Sequence, residues 1–278
     1  DSLKISNGKW IWWSRGIGGR SALDYLIKVK GYSFLEAVET IIGHTAIQAP
    51  VYEKPQLKEE NKPLLLPEKC ASNRVITEYL FGRGIDFEII NYCISNDLIF
   101  ESLPYHNVVF VGYDEKKEPK YAAYRSTNKR RIMGDCSGSK KDYSFRLGKE
   151  NLEEVHLFEC AIDLLSYATL AKLNGQDWKE MSFVSLSGVY SPAKKIEDSK
   201  VPIALEKYLG SNPSVRKIRI HFDNDIAGRK AAQTLKIILP DKYEIVDEPP
   251  KAGKDFNDFL CMQMGIYNKK THERNEER

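Results

Sequence analysis

Three acidic clusters, each standing where an apolar run gives way to a helical pattern, are the residues of this 278-residue chain whose types and spacing could do chemistry. In Ile218-Arg219-Ile220-His221-Phe222-Asp223-Asn224-Asp225 two acids stand one residue apart at the end of an extended run. Side chains on a strand alternate with period 2, so Asp223 and Asp225 point the same way. Two convergent carboxylates are hard oxygen ligands suited to Mg²⁺, which takes one or two protein carboxylates together with substrate phosphates. A second run, Val155 to Phe158, ends in Glu159, and Asp163 follows early in the helical pattern from Ala161, so both acids can face one crevice. The third cluster, Gly253-Lys254-Asp255-Phe256-Asn257-Asp258, follows the strand-like Tyr243 to Val246 and opens a short helix. Acids in such places also cap helices, a role open to Asp225, Asp255 and Asp258.

Strands at 155–159, 181–186, 215–222 and 243–246 alternate with helices at 161–173, 199–209 and 226–238. Such alternation predicts a parallel sheet with right-handed crossovers, and ligands of such sheets bind beyond the carboxyl ends of the strands. All three acidic clusters fall at that edge. Upstream, helical patterns at Val75 to Phe81 and Phe87 to Ser95 precede strands at Asn107 to Tyr113 and Lys120 to Arg125, an α+β arrangement. Ala49 to Lys69 carries Pro50, Pro55, Pro63 and Pro67 among Lys and Glu and reads as a linker. Before it, Ser21-Ala22-Leu23-Asp24 and Ser33-Phe34-Leu35-Glu36 are capping-box patterns that open two short helices.

Phe158-Glu159-Cys160-Ala161-Ile162-Asp163, Asp223-Asn224-Asp225-Ile226-Ala227-Gly228 and Gly253-Lys254-Asp255-Phe256-Asn257-Asp258 together resemble the Toprim domain of DnaG-type primases, topoisomerases and some nucleases. The resemblance implies that Glu159 is a general acid or base for phosphoryl transfer. It makes Asp223 and Asp225 ligands of Mg²⁺ or Mn²⁺, with Asp163, Asp255 and Asp258 as further metal candidates. Two departures stand out: Cys160 replaces the usual glycine after the glutamate, and Asn257 interrupts the usual spacing of the third motif. A haloacid dehalogenase-like phosphatase also pairs two acids, but after its first strand and with a threonine where Ile226-Ala227-Gly228 stands here.

Tyr79 to Ile85, His106 to Phe110 and Gly138-Ser139-Lys140 resemble an uncharacterised domain that precedes Toprim in primase-like proteins of plasmids and conjugative elements. Lys9-Trp10-Ile11-Trp12-Trp13-Ser14-Arg15-Gly16-Ile17 and Ala22-Leu23-Asp24-Tyr25-Leu26 are similar to the second half of a primase zinc-binding domain. Ser14 and Ile17 stand where its cysteines would be, so no zinc is expected, and since the chain opens inside this pattern, residues before Asp1 are expected to be missing. Trp10, Trp12 and Trp13 with Arg15 and Arg20 suit either a platform for stacked template bases or a small core. The expected organisation is a degenerate zinc-finger-like module at 1–48, a linker at 49–72, an α+β basic subdomain at 73–150, a Toprim domain with a four-stranded parallel sheet at 151–265 and a polar tail at 266–278.

Composition bounds the rest. Five scattered cysteines, with no close pair among them, read as reduced structural thiols. No apolar run approaches the roughly 20 residues a membrane span needs, so no membrane partner and a cytoplasmic location are expected. A net charge of +3 decides nothing by itself, yet between Arg125 and Lys149 eight cations stand against Asp135 and Asp142. Arg125, Arg131, Lys140, Lys141 and the third motif's Lys254 are therefore the candidates for nucleotide and DNA phosphates. The expected activity is a metal-dependent primase-like nucleotidyltransferase of a mobile element. Its partners would be single-stranded DNA, nucleoside triphosphates and a helicase or relaxase. A Toprim nuclease and a non-catalytic binding module are the alternatives.

Overall fold

A computed structural model describes residues 2–43, 62–128, 132–188, 190–193 and 195–266. Arg131, most of the proline-rich linker and nearly all of the polar tail lie outside the described residues. The chain forms two compact units, residues 1–60 and 61–278. No helix among the described residues is long and apolar enough to cross a membrane.

In the first unit, strands β1 (Leu3–Ser6), β2 (Lys9–Trp12) and β3 (Ile17–Gly19) form an antiparallel sheet, followed by helices α1 (Ala22–Lys28) and α2 (Phe34–Gly43). The Ser33 and Glu36 pair closes as a reciprocal capping box, each side chain accepting the other residue's backbone N–H. The three tryptophans divide between the two roles left open by sequence. Trp10 is buried edge-to-face against Tyr25, Trp12 stacks beneath the Arg15 guanidinium at 4.0 Å, and Trp13 is exposed.

The second unit opens with α3 (Arg74–Phe81) and α4 (Phe87–Ser95). An antiparallel sheet follows, β4 (Ile99–Ser102), β5 (Asn107–Tyr113), β6 (Pro119–Arg125) and β7 (Met133–Asp135), paired in that order. Then come β8 (Arg146–Gly148), β9 (Glu154–Phe158), α5 (Ala161–Leu173), β10 (Ser182–Ser185) and α6 (Ile203–Ser211). The unit closes with β11 (Lys217–Ile220), α7 (Ile226–Ile238), β12 (Glu244–Asp247) and α8 (Phe256–Gln263). Helix α6 starts four residues later than its apolar pattern suggests, because the proline at 202 holds extended ψ at the cap and biases Val201 before it away from helix.

The second sheet has the order β12-β11-β9-β10-β8. The four expected strands, β9 to β12, run parallel, and β8 adds an antiparallel fifth at one edge through Leu147 opposite Phe183. Gly148 is required there: its φ is +85°, and a Cβ would sit 1.9 Å from the Met181 carbonyl oxygen.

Period-2 alternation builds two cores from the same strands. Val155 and Leu157 of β9, Val184 of β10 and Ile218 and Ile220 of β11 pack against α6 and α7, burying Leu205, Tyr208, Ala231 and Leu235. Phe158 and Phe183 face the other way, onto α5 and α8. That second core continues without a break into Ile76 and Leu80 of α3, Ile89 and Ile90 of α4, and Val108 and Phe110 of β5. The α+β segment and the parallel-sheet segment therefore share one interior. The chain leaves β9 toward β10 on one side and returns to β11 on the other, so the strand order reverses at β9. A crevice opens beyond the carboxyl ends at such a reversal.

Candidate functional site

Glu159 follows β9 and Asp223 follows β11, so neighbouring strands deliver both to the reversal crevice. Glu159 is buried, and its Oε1 accepts the Asp223 backbone N–H at 3.2 Å. Burial first, and then the Asp223 charge, push the Glu159 carboxyl up to about 7. A carboxyl at that level exchanges its proton near neutrality. Asp223 is also raised, chiefly by burial, while Asp225 is lowered because it accepts the Gly228 N–H at 2.9 Å as the N-cap of α7.

Lys254 lies between the paired acids, its Nζ 2.8 Å from Asp223 and 3.3 Å from Asp225. A residue read from sequence as a phosphate ligand is thus placed as the counter-ion of the acid pair. The geometry spreads the two carboxylates around an ammonium, and any divalent ion would have to displace it.

The third motif divides. Asp255 caps α8 by accepting the Asp258 N–H at 2.7 Å, and Asp258 accepts the Lys254 N–H at 3.3 Å. Asp163 is buried inside α5, accepts the Cys160 thiol at 2.8 Å and the Asn257 N–H at 3.3 Å, and is raised to about 7 by burial and by Asp255. Cys160, the departure after the glutamate, is therefore a hydrogen-bond partner of an acid. Asn257 is buried as well, pairs its Oδ1 with Arg83 and donates to the Arg83 carbonyl and Ser166 Oγ at 3.0 Å each. It ties α8 to α5 and to the loop after α3.

Two residues that position the acids escaped sequence reading. Arg229 donates to the carbonyls of Asp223 at 3.2 Å and Phe222 at 2.8 Å and pairs with Asp247 at 2.6 Å, so it fixes the backbone between the strand tip and α7. Gly228 lets the first turn of α7 approach that backbone: an added Cβ would lie 2.2 Å from the Asp223 carbonyl and 3.0 Å from Glu159 Oε1. Gly228→Ala is expected to cost about 2 kcal/mol or more of stability, within the range for overpacking against unyielding atoms. It should also remove activity in the soluble fraction. Urea unfolding that matches the parent would refute the close approach.

Of the basic candidates, Arg125 donates to Tyr79 Oη at 3.1 Å, and Lys141 pairs with Asp135 at 3.1 Å. Both line a 290 Å³ cavity with Phe110, Tyr121, Cys160 and Ile162, next in sequence to Glu159. Lys140 is exposed beside Lys141. The parallel sheet thus presents acids at its carboxyl edge, and the antiparallel sheet presents cations and aromatics beside them.

Comparison with known proteins gives these parts names. The sequence profile of a family described as Toprim-like matches residues 156–260, and that of a family described as protein of unknown function (DUF3991) matches residues 78–151. No curated protein matches the sequence. Among solved structures, the primase fragment of the bacteriophage T7 primase-helicase protein is similar at 18% identity and a TM-score of 0.44, over 67% of this chain and 69% of that one. The zinc-binding and RNA polymerase domains of the Aquifex aeolicus primase are similar at 16% identity and 0.42, over 95% and 73%. The RNA polymerase domain of Mycobacterium tuberculosis primase DnaG, solved with a double-stranded DNA oligomer bearing a 6-nucleotide overhang, is similar at 12% identity and 0.43, over 69% and 70%. The segment whose acids converge at the reversal of the parallel sheet is thus the one that matches the Toprim-like family, and the α+β segment that shares its core is the one that matches DUF3991.

Proposed function

We propose that this chain is a metal-dependent nucleotidyltransferase that makes short primers on single-stranded DNA, in the replication or transfer of a mobile element. The observation that carries the reading is the convergence of Glu159, Asp223 and Asp225 beyond the carboxyl ends of β9 and β11, beside a largely apolar cavity that Arg125 and Lys141 also line.

The donor set fits a hard divalent ion. Glu159, Asp163 and Asp223 are all raised by burial and then by neighbouring carboxylates among Asp223, Asp225 and Asp255, a repulsion that one ammonium leaves incompletely relieved. Asp223 and Asp225 would hold Mg²⁺ or Mn²⁺, with Asp163, Asp255 or Asp258 as further ligands. When bound, such an ion stabilises charge on the transferring phosphoryl oxygens. Glu159, within reach of the same edge, takes the proton of the attacking 3′ hydroxyl. Arg125, Arg131, Lys140 and Lys141 receive triphosphate and template phosphates. Template DNA, nucleoside triphosphates and a helicase or relaxase are the partners this reading names.

The test is a denaturing gel of labelled single-stranded DNA and labelled nucleotides with Mg²⁺ or Mn²⁺. New template-dependent oligonucleotides support a primase, and shortening of the labelled strand assigns the same acids to a nuclease. DNA retention with neither product leaves a binding module. Lys140→Ala with Lys141→Ala is expected to weaken DNA binding uniformly across sequences. It should also lower the slope of log affinity against log salt by about one per lysine, measured by fluorescence anisotropy. An unchanged slope removes these two from the phosphate path.

A further inference from the structure

A cluster outside the acidic edge has the chemistry of a second metal site. The side-chain ligand atoms of Cys70, Glu101 and His106 all lie within 4.8 Å of one another. Among the described residues this is the one group of three such ligands drawn that close. It belongs to β4 and its flanks and shares no residue with the acids of the parallel sheet.

Its members are held from the backbone. Cys70 N–H donates to the Glu101 carbonyl at 2.8 Å, and the preceding Lys69 bridges to Ser102, so the thiol stands alongside β4. Glu101 N–H donates to Asn73 Oδ1 at 2.9 Å. His106 sits at φ +52°, donates its N–H to Ser102 O at 2.8 Å and accepts Thr127 Oγ1–H at 2.9 Å.

Glu101 divides its two oxygens. Its side chain is buried, and Oε2 accepts the N–H groups of Val75 at 2.9 Å and Ile76 at 3.3 Å in the first turn of α3. That fixes the carboxylate and aims Oε1 at His106 Nδ1, 2.5 Å away. Outer hydrogen bonds of this kind orient metal-binding carboxylates. The His106 side chain is 45% exposed, which leaves a direction open to water.

We propose that Cys70, Glu101 and His106 bind one Zn²⁺ ion. A thiolate, an imidazole and a carboxylate make a mixed sulfur, nitrogen and oxygen set that suits borderline Zn²⁺ and disfavours hard Mg²⁺. Three protein ligands with a fourth position open to water is a common zinc arrangement. To bind through Nδ1 the neutral His106 imidazole carries its proton on Nε2, and the Cys70 thiol loses its proton as the thiolate forms, so one proton is released per ion. The thiolate and carboxylate charges then balance the ion, leaving the site neutral. The site would brace the turn into β5 and the start of α3 against β4. The simpler reading is that His106 and Glu101 are only a hydrogen-bonded pair that pins this turn, with Cys70 a bystander.

Chelator-treated full chain, held in excess Mg²⁺ to occupy the acidic edge and carrying Cys160→Ser to remove the thiol there, separates the two readings. It is expected to take up one Zn²⁺ per chain, and with Co²⁺ to show a thiolate-to-metal charge-transfer band in the near ultraviolet. Cys70→Ser should abolish that band, and His106→Gln should weaken Zn²⁺ binding at least about tenfold. Both positions are partly exposed, and circular dichroism checks that the variants fold. Zinc should raise the melting temperature of the parent by more than that of either variant. A band that survives Cys70→Ser, or a parent that takes up no more Zn²⁺ than a chain carrying both Cys70→Ser and His106→Gln, overturns the proposal.

Discussion

Asp223→Asn is expected to abolish primer synthesis while leaving the affinity for single-stranded DNA little changed. The substitution keeps the shape of the side chain and its place at the tip of β11, so the fold loses nothing from its core. What it loses is a charge. Asp223 and Asp225 balance the Lys254 ammonium at present, and in the proposed mechanism they balance a divalent ion. Metal stabilisation of a phosphoryl transition state is worth several kcal/mol, and every 1.36 kcal/mol is tenfold in rate, so a loss of at least about 10³-fold follows. DNA affinity is separate because its phosphate contacts are assigned to the antiparallel sheet. Single-turnover extension assays beside anisotropy measure both quantities. Synthesis at more than a tenth of the parent rate by Asp223→Asn would remove this residue from the chemistry.

The second large effect concerns pH. The Glu159 carboxyl stands at about 7 in the folded protein against an ordinary 4.5. Between those values the folded state binds more protons than the unfolded one, so stability falls as pH rises through that window and levels off above it. Glu159→Gln removes the buried charge and should flatten the fall. The gain at pH 8 without divalent ions is on the order of 2 kcal/mol, after discounting the full linkage value for solvent screening, and it vanishes near pH 4. Asp163, also raised to about 7, acts in the same direction and keeps some slope in the variant. Urea titrations at several pH values with a chelator, repeated with Mn²⁺, provide the test. Parallel pH profiles for parent and variant would show that Glu159 is not the group that titrates, and a fall that Mn²⁺ leaves intact would separate it from the proposed ion.

The legible parts of this chain were those written in local spacing. Alternation along Val155 to Phe158 marks a strand that faces two cores, Ile218 and Ile220 mark one that faces the α6 and α7 core, and the helices after β11 and β12 begin at Asp225 and Asp255, which cap them. The acids at the carboxyl edge follow from those strands alone. Local spacing did not reveal what depends on a distant partner. Arg146-Leu147-Gly148 is three residues in a basic stretch, and it becomes a strand only because β10 offers an unpaired edge. Lys254 looks like any cation beside a motif until Asp223 and Asp225, about thirty residues earlier, close around it. Arg229 reads as a surface residue of α7, yet its guanidinium turns back to the strand tip. The trio at 70, 101 and 106 has no spacing that resembles a metal motif, and only the turn between β4 and β5 brings its ligand atoms within 4.8 Å of one another.

The interior shared by the two matched segments also bears on how the chain is made and how its gene can be rearranged. A ribosome releases Ile76, Leu80, Ile89 and Phe110 before the α5, β10 and α8 side chains that bury them, so the leading segment spends part of synthesis with its apolar face uncovered. β8 likewise emerges as a strand without a neighbour and waits for Ser182 to Val184. A recombination joint placed between β8 and β9 would hand on a parallel sheet with a bare edge strand, the kind that recruits foreign chains. A rearrangement that keeps both cores closed must therefore carry α3 through α8 together.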